Sequence, residues 1–395
     1  MDDKIRVRAY NVRFGDAYLV TVPDRDPETG DTTQRHILID VGNAASKEGG
    51  DDSVFKPVVE DILEQLDGKP LDLYVMTHEH MDHVQGLPYA AKYCYSSDEL
   101  KQKLNTQYAW LTASADPSYY DNHPDAKKQK DLLLTAYEKI RTHLLELPDD
   151  TMKLFTRLLA SNNPRSTGSC VDYLRDLASP SHTCYVSRGF KTTGIHPFKE
   201  ARFEILAPEE DTSHYYRSLL PMMLTSTGPA GSSTEPQRPC PPQGVDAGAF
   251  YDLVDQRANG FCDNLLAIDK AANNTSVVFS LEWRGRRLLF TGDAELTSWK
   301  TMQEKGVLRK VDFMKVSHHL SRNGTPDEDI LGALLPKSRS RTARRWAAVS
   351  TWEDMYSGIP HEETEKRLCE HCTLKSTLDD TSELFFDIEI PAAPA

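Results

Sequence analysis

The sequence predicts an α/β fold, and three observations support this prediction. Short apolar segments of strand length recur along the chain, and several end directly at histidine or aspartate. Apolar residues at helical spacing predict a helix over Val54–Leu66. The composition, 39% hydrophobic and 27% charged, is typical of a globular protein with a buried core.

The first half of the chain contains most of the predicted strands. Three open the sequence, at Lys4–Tyr10, Ala17–Val22 and Arg35–Val41, and a fourth follows the helix at Leu71–Met76. Residues 96–165 are predicted to form a helical insertion, because apolar residues between positions 132 and 145 make one long amphipathic face. Three roles are open for this face: it can pack against the core, cover a metal site as a lid, or bind a protein partner.

The second half begins with residues 226–248, which are rich in proline, glycine and serine and are predicted to form a flexible loop. Ser276–Trp283 and Arg286–Thr291 then predict a hairpin about Arg284-Gly285. Further strands are predicted at Val311–Ser317 and Trp346–Ser350. No internal repeat interrupts the pattern, so we expect a single domain over residues 1–395.

The segment Thr77–His83 carries the strongest functional signal. It places three histidines and an aspartate directly after an apolar strand, a cluster that is hard to explain by chance with 13 histidines in the chain. Imidazole and carboxylate are ligands that divalent zinc, manganese or iron accept. His78 and His80, two residues apart, can share one metal, whereas Asp82 and His83 can serve a second.

This His-x-His-x-Asp-His order resembles the signature of the metallo-β-lactamase fold superfamily. The resemblance implies a four-layer αββα sandwich with one or two divalent metal ions, of which zinc and manganese are the first choices. Asp293, after the strand Arg286–Thr291, matches the aspartate that bridges the two metals in that superfamily. His318 or His319 matches the histidine that closes the second site, and His318 is the first choice of ligand while the alternative stays open.

Further segments resemble the soluble domain of the ComEC DNA-uptake proteins. They cover most of residues 5–95 and 270–390. They are Asn11–Val20 followed by Ile37–Gly42, then Asn273–Val278, Thr291–Glu295, His318–Ser321 and Gly358–His361. The resemblance implies a phosphodiesterase or nuclease that acts on DNA or RNA. Two positions depart from the ComEC pattern, since Leu320 replaces a glycine and Ile359 replaces a histidine.

The histidine that the wider superfamily places midway along the chain has no clear counterpart. His182, His196 and His214 lie in the right window, but none ends a convincing strand. The amide oxygen of Asn274 can bind metal in place of this histidine, or Asn274 can cap the start of the strand that follows it. Asn274, Arg322 and His361 are also candidates for contact with substrate.

Charge limits the choice of substrate. The formal net charge of −14 disfavours a protein that coats nucleic acid by counterion release. Against this, the run Lys337–Arg345 contains five basic residues and no acid, and precedes Trp346. The run can contact phosphates, or it can be a solvated loop.

The predicted chemistry follows from the ligands, because a divalent metal lowers the pKa of bound water and makes hydroxide available. Asp82 would bind metal and orient the nucleophile. One of His318 and His319 would bind metal, and the other would donate a proton to the leaving oxygen. The alternatives are a hydrolase of small phosphoesters, cyclic nucleotides, lactones or thioesters, and a regulatory component that binds a protein partner through residues 130–157.

Several absences in the sequence predict a cytoplasmic protein without membrane contact. No stretch approaches the roughly 18 to 20 apolar residues that cross a bilayer, and the first residues lack the apolar segment of a secretory signal. The seven scattered cysteines fit reduced thiols. The pair Cys369 and Cys372, without a second half-site, is interpreted as ordinary thiols.

Overall fold

Two mixed β-sheets form the centre of the computed structural model, which describes residues 4–44, 52–142, 158–216, 266–337, 345–353 and 358–394. The first sheet contains β1 (Lys4–Tyr10), β2 (Ala17–Arg25), β3 (Thr32–Val41), β4 (Leu73–Met76), β5 (Tyr108–Thr112), β6 (Thr183–Val186) and β13 (Phe385–Pro391). The second sheet contains β7 (Arg202–Ala207), β8 (Val278–Trp283), β9 (Arg286–Phe290), β10 (Phe313–Lys315), β11 (Trp346–Val349) and β12 (Thr373–Ser376).

Each sheet combines an antiparallel part with a parallel part. The first sheet has the order β13-β1-β2-β3-β4-β5-β6, antiparallel as far as β3 and parallel beyond it. The second has the order β12-β11-β10-β9-β8-β7, parallel from β12 to β9 and antiparallel beyond it. The carboxyl ends of β3 and β4 therefore lie side by side, as do those of β9 and β10.

The described residues also form helices between the strands. They are α1 (Asp52–Leu66), α2 (Met81–Val84), α3 (Gly86–Tyr93), α4 (Ser97–Leu104), α5 (Tyr119–Asn122), α6 (Pro124–Thr142), α7 (Pro164–Arg175), α8 (Leu296–Glu304), α9 (Glu328–Leu334) and α10 (Glu362–Cys369). Residues 158–161 and 266–274 are also helical. Within the described ranges, no helix combines the length and the apolar character needed to cross a bilayer.

Three clusters of buried side chains separate the layers. One lies between the sheets and includes Val7, Trp110 and Phe279. A second joins the first sheet to α1, α3, α4 and α7, and a third joins the second sheet to α8, α9 and α10. The structure is therefore an α/β sandwich in which each sheet is covered by helices on the side away from its partner.

The local predictions with strong patterns are confirmed. The predicted helix Val54–Leu66 is α1, whose apolar residues Val58, Val59 and Ile62 are buried. The hairpin about Arg284-Gly285 is formed by β8 and β9. The α/β class follows from these elements and from the two sheets.

The segment 96–165 differs from the predicted helical insertion. It contains α4, α5 and α6, but also β5, which pairs with β4 on one side and β6 on the other. β5 is thus an internal strand of the first sheet, and the helical part that follows it begins at α5. The predicted loop at residues 226–248 lies outside the described residues.

One buried histidine in β3 makes stability depend on pH. His36 is 4% exposed, and its Nδ1 atom lies 3.3 Å from Oγ1 of Thr21. Burial, followed by the charges of Arg6 and Lys69, lowers the pKa of His36 to about 4. In the unfolded chain a histidine has a pKa of about 6.5. Between about pH 4 and pH 6.5, His36 is therefore protonated in the unfolded chain and neutral in the folded chain.

We accordingly expect the free energy of unfolding to be independent of His36 protonation above about pH 6.5. As the pH falls to about 4, protonation of this histidine in the unfolded chain should lower the free energy of unfolding by about 3 kcal/mol. Urea unfolding of wild type and His36→Gln at both ends of this window measures the effect, because the variant lacks the titrating group. His182→Gln, at an exposed histidine, is the matched control. Equal pH dependence in wild type and His36→Gln would contradict the prediction.

Candidate metal centre

Four strand ends bring acidic and histidine side chains together. Asp40 is the penultimate residue of β3, Thr77–His83 follows β4, and Asp293 follows β9. His318 and His319 follow β10. Because the carboxyl ends of neighbouring parallel strands meet at the same edge of a sheet, these segments converge at one place.

Two glycines let the loops after β1 and β3 pack against the turn that carries Asp82 and His83. A Cβ atom on Gly42 would lie 2.2 Å from the carbonyl carbon of Asp82, and one on Gly15 would lie 2.7 Å from its carbonyl oxygen. The backbone N–H of Asp16 also donates to that oxygen at 3.0 Å. The opening segment of the chain therefore fixes the position of α2.

The centre of the site is the buried group of Asp82, His83, Asp293 and His319, called the central group below. One ligand-type atom from each residue lies within 4.8 Å of the others. The Oδ2 atom of Asp293 lies 3.1 Å from Nε2 of His83 and 3.3 Å from Nε2 of His319. The Oδ2 atom of Asp82 lies 3.3 Å from the same His319 atom.

Outer groups hold the two imidazoles of the central group in orientation. The Oδ2 atom of Asp40 lies 2.8 Å from Nδ1 of His83 and accepts a hydrogen bond from the Thr77 hydroxyl at 2.6 Å. The carbonyl oxygen of Ser350 lies 2.8 Å from Nδ1 of His319. Since both Nδ1 atoms are held from outside, both Nε2 atoms face the central carboxylates.

A buried lysine neutralises part of the negative charge. The Nζ atom of Lys315 lies 3.1 Å from Oδ1 of Asp293, contacts Oδ2 of Asp16, and donates to the Gly292 carbonyl oxygen at 2.7 Å. Burial lowers the pKa of Lys315, but the charges of Asp16 and Asp293 outweigh it and raise the pKa overall. The lysine therefore stays charged beside the central group.

The buried carboxylates also draw protons onto two histidines. Burial lowers the pKa of His319, yet the charge of Asp293 and the contacts with Asp293 and Asp82 raise it to about 10. Burial likewise lowers the pKa of His83, but Asp293 and Asp40 raise it well above its usual value. Metal ions displace protons from such ligands. A cation bound here would therefore replace the histidine protons and would itself offset the charge of the carboxylates.

The donor atoms of the central group fit a divalent metal. Imidazole nitrogens combined with carboxylate oxygens are the set that zinc and manganese sites use. Among the described residues, the buried Nε2 atom of His319 has no partner with hydrogen-bond geometry, although two carboxylates lie near it. A cation between these atoms would satisfy it.

His78 and His80, predicted to share one metal, contact each other beside the central group. The Nε2 atom of His78 lies 3.0 Å from Nδ1 of His80, and Nε2 of His80 lies 2.8 Å from Oδ1 of Asn162. The His78 ring lies 4.1 Å from the ring of His83. Burial, followed by the charges of His83 and His80, lowers the pKa of His78 well below its usual value, which leaves a neutral imidazole.

His318 lies in a second cluster with Asp269 and Glu295, called the His318 group below. One ligand-type atom from each of the three lies within 4.8 Å of the others, and Nδ1 of His318 lies 3.2 Å from Oε1 of Glu295. The sequence left open which histidine of the pair closes the metal site. The structure brings His319, rather than His318, into the central group.

The backbone explains why consecutive histidines face different groups. His318, His319 and Leu320 have φ values of 47°, 51° and 66°, in the left-handed region that costs a non-glycine residue about 1 kcal/mol or more. Leu320 stands where the ComEC pattern has glycine, but its side chain is buried in the core under α8 and α9. That burial, worth about 1.5–3 kcal/mol, offsets the strain.

Two of the three residues predicted to contact substrate cap helices. The Oδ1 atom of Asn274 accepts hydrogen bonds from the N–H and the hydroxyl of Ser298 in α8. The Nδ1 atom of His361 accepts from the Thr364 N–H at the start of α10. Asn274 therefore caps α8 and not the strand start that was the predicted alternative, and His361 caps α10. Arg322 is exposed, and its role stays a prediction.

The two described residues of the basic run, Lys337 and Arg345, both have partners within the protein. Lys337 lies 3.0 and 2.7 Å from two glutamate carboxylates. Arg345 is buried and donates to a backbone carbonyl oxygen. Residues 338–344 lie outside the described residues, so phosphate binding by the arginines within them stays a prediction.

Sequence reasoning missed four residues of this region. Asp16 and Glu295 lie in the segments Asn11–Val20 and Thr291–Glu295, which carried the ComEC resemblance, so a signal for them existed. Asn162 directly follows the short helical segment 158–161, Asp269 lies in the helix at residues 266–274, and neither has a ligand pattern around it. The fold joins these two, because the Asn162 amide donates to the Asp269 carboxylate at 2.9 Å.

Comparisons with known proteins assign no family to the chain. No protein-family model matches it, and no curated protein shows significant similarity to it. A functional interpretation therefore depends on the geometry of the central group and on the short segments described above.

Proposed function

We propose that this chain is a metal-dependent hydrolase of the metallo-β-lactamase fold, in a ComEC-like branch, and that it cleaves phosphodiesters. The observation that carries the proposal is the buried convergence of Asp82, His83, Asp293 and His319 after β4, β9 and β10. The α/β sandwich of two mixed sheets supports it, since an αββα sandwich has the same layers.

The central group would hold a zinc or manganese ion, and such an ion supplies a Lewis acid and lowers the pKa of a bound water. Asp40 and the Ser350 carbonyl keep the two imidazoles turned inward. Lys315 contacts Oδ1 of Asp293, and Oδ2 of the same carboxylate faces the two imidazoles of the central group. His78 and His80 would add imidazole donors for a second ion.

His318 is suited to hold a proton near the reacting group. Its side chain is 16% exposed, whereas that of His319 is fully buried. Burial lowers the pKa of His318, but the hydrogen bond with Glu295 and the charge of Asp293 raise it overall. A protonated imidazole at the edge of the site can donate to a leaving oxygen.

A second candidate function is hydrolysis of a small molecule, such as a cyclic nucleotide, a lactone or a thioester. The observation that favours it is a cavity lined by His80, which takes a small group more readily than a duplex. The third hypothesis, a partner surface on residues 130–157, has less support. On α6, Leu133, Ala136 and Tyr137 are buried and Leu132 is exposed, while residues 143–157 lie outside the described ranges.

Metal dependence tests the proposal directly. We expect protein stripped with a chelator to hydrolyse bis(p-nitrophenyl) phosphate at least about 100-fold more slowly than protein supplied with Mn²⁺ or Zn²⁺, since the activated water is lost. The same assay on single-stranded DNA, duplex DNA and RNA ranks the substrates. Equal rates with and without metal, or no hydrolysis of any substrate, would contradict the proposal.

A further inference from the structure

A cavity of about 390 Å³ opens beside the candidate metal centre. Its walls come from α6, α7, the helix at residues 266–274 and the segment that follows β5. His80 and Asn162, which lie 2.8 Å apart, form part of its lining. A group bound here would therefore sit next to a histidine of the metal centre.

Much of the lining is apolar. The apolar side chains include Leu133, Leu134 and Tyr137 from α6, Val171 from α7, and Ile268 from the opposite helix. Covering such a wall with a ring or a hydrocarbon removes apolar surface from water, which is favourable at roughly 25 cal/mol per Å². An apolar wall has few groups that can form hydrogen bonds or ion pairs with a charged ligand.

The charged groups of the cavity balance each other. They are Glu79, Asp116, Lys130 and Arg175. Lys130 is engaged within the cavity, since its Nζ atom lies 3.7 Å from the Glu79 carboxylate and 4.1 Å from the centre of the Tyr120 ring. With two acids and two bases, the cavity has no excess charge to attract a second phosphate.

We propose that this cavity binds one flat, uncharged ring group attached to the phosphoryl group that is cleaved. The apolar wall, the balanced charges and the contact with His80 support this assignment. Ligand cavities for small molecules span about 300–1,000 Å³, so this one holds a single ring-bearing group and not a duplex. The inference builds on the proposed function and narrows its substrate to a small diester or to the end of a nucleic-acid strand.

Gly168 in α7 offers a way to fill the cavity without moving its walls. It lines the cavity, and a Cβ atom added there meets no heavy atom within 4 Å. Gly168→Phe would place a ring in the open space. Gly168→Ala is the matched control, because it gives the helix the same relief from glycine without filling the cavity.

The test uses probes that cannot be hydrolysed, phenylphosphonate and methylphosphonate, with the Zn²⁺-loaded protein and isothermal titration calorimetry. We expect wild type and Gly168→Ala to bind phenylphosphonate at least about tenfold more tightly than methylphosphonate. Gly168→Phe should lose this preference and bind methylphosphonate as wild type does. Thymidine 5′-monophosphate, as a third probe, distinguishes a nucleoside site from one that prefers a simple aryl group.

Ala272→Phe fills the cavity from the opposite wall and provides a second variant if Gly168→Phe does not fold. The proposal is overturned if wild type shows no preference for the ring, or if a folded filling variant with normal zinc content retains it. Because phosphonate binding needs no turnover, a ring preference in a protein that hydrolyses no diester would refute the proposed function and would still show that the cavity binds the ring of a phosphoryl compound.

Discussion

Asp293→Asn is expected to reduce the rate of diester hydrolysis by more than about 100-fold and to remove most of the bound divalent metal. Asp293 contacts His83 and His319 through Oδ2 and Lys315 through Oδ1, so it connects the parts of the central group. Asparagine keeps the shape but removes the negative charge. Loss of an outer partner alone costs about 10–100-fold, and a direct ligand should cost more.

Asp40→Asn is the matched comparison for this variant. Asp40 is fully buried in the same region, but it contacts His83 through Nδ1, on the side of the ring away from the central group. Its φ of 51° is one that asparagine tolerates, so the backbone should be preserved. We expect a loss of about 10–100-fold in activity and a smaller loss of metal.

Metal content by mass spectrometry and kcat on bis(p-nitrophenyl) phosphate measure both variants, with circular dichroism to confirm folding. The expected order is wild type, then Asp40→Asn, then Asp293→Asn, in metal content as well as in rate. Full metal content in a folded Asp293→Asn variant would show that the central group is not the metal site.

The opening hairpin shows how far local patterns define a strand. The second strand was predicted to end at Val22, because Pro23 and Asp24 are residues that favour turns. In the structure β2 continues to Arg25, because residues 22–25 pair with residues 32–35 of β3. The Asp24 carboxylate also accepts hydrogen bonds from the N–H groups of Lys199 and Glu200, about 175 positions away in the sequence. Local turn residues therefore did not indicate the longer strand, since a proline and an aspartate are accommodated here by the pairing and by this distant contact.

β5 was missed for a related reason. Its five residues are largely buried, because the strand lies between two parallel neighbours. A strand buried on both faces lacks the alternation that identifies strands in a sequence. Between α4 and the amphipathic α6, such a short apolar run is easily included in a helical segment.

In the site, the sequence located the residues whose neighbours along the chain are also ligands. Thr77–His83 concentrates its signal in seven positions, and Asp293 and the His318-His319 pair each end a recognisable strand. Asn162 and Asp269 carry no such signal, because their proximity to His80 and His318 arises only when distant helices pack together. The different surroundings of the two adjacent histidines follow from left-handed backbone geometry, which a sequence without glycine at position 320 does not suggest.

That difference leads to the prediction that separates the two histidines. Asparagine tolerates the left-handed conformation, so His319→Asn and His318→Asn should both keep the turn. His319→Asn removes the Nε2 atom that lies between the two central carboxylates, so metal and activity should be lost together. His318→Asn leaves the central group intact, so metal should be retained.

The two variants should therefore differ in kind and not only in degree. We expect His319→Asn to lose more than about 100-fold in rate together with its metal. We expect His318→Asn to keep its metal, to lose about 10²–10⁴-fold in kcat, and to lose one limb of the pH–rate profile, because a proton donor has been removed. Metal analysis and pH-dependent kinetics on the same preparations measure both outcomes. If His318→Asn lost metal while His319→Asn kept it, the metal would lie in the His318 group, and the assignment of the central group would be wrong.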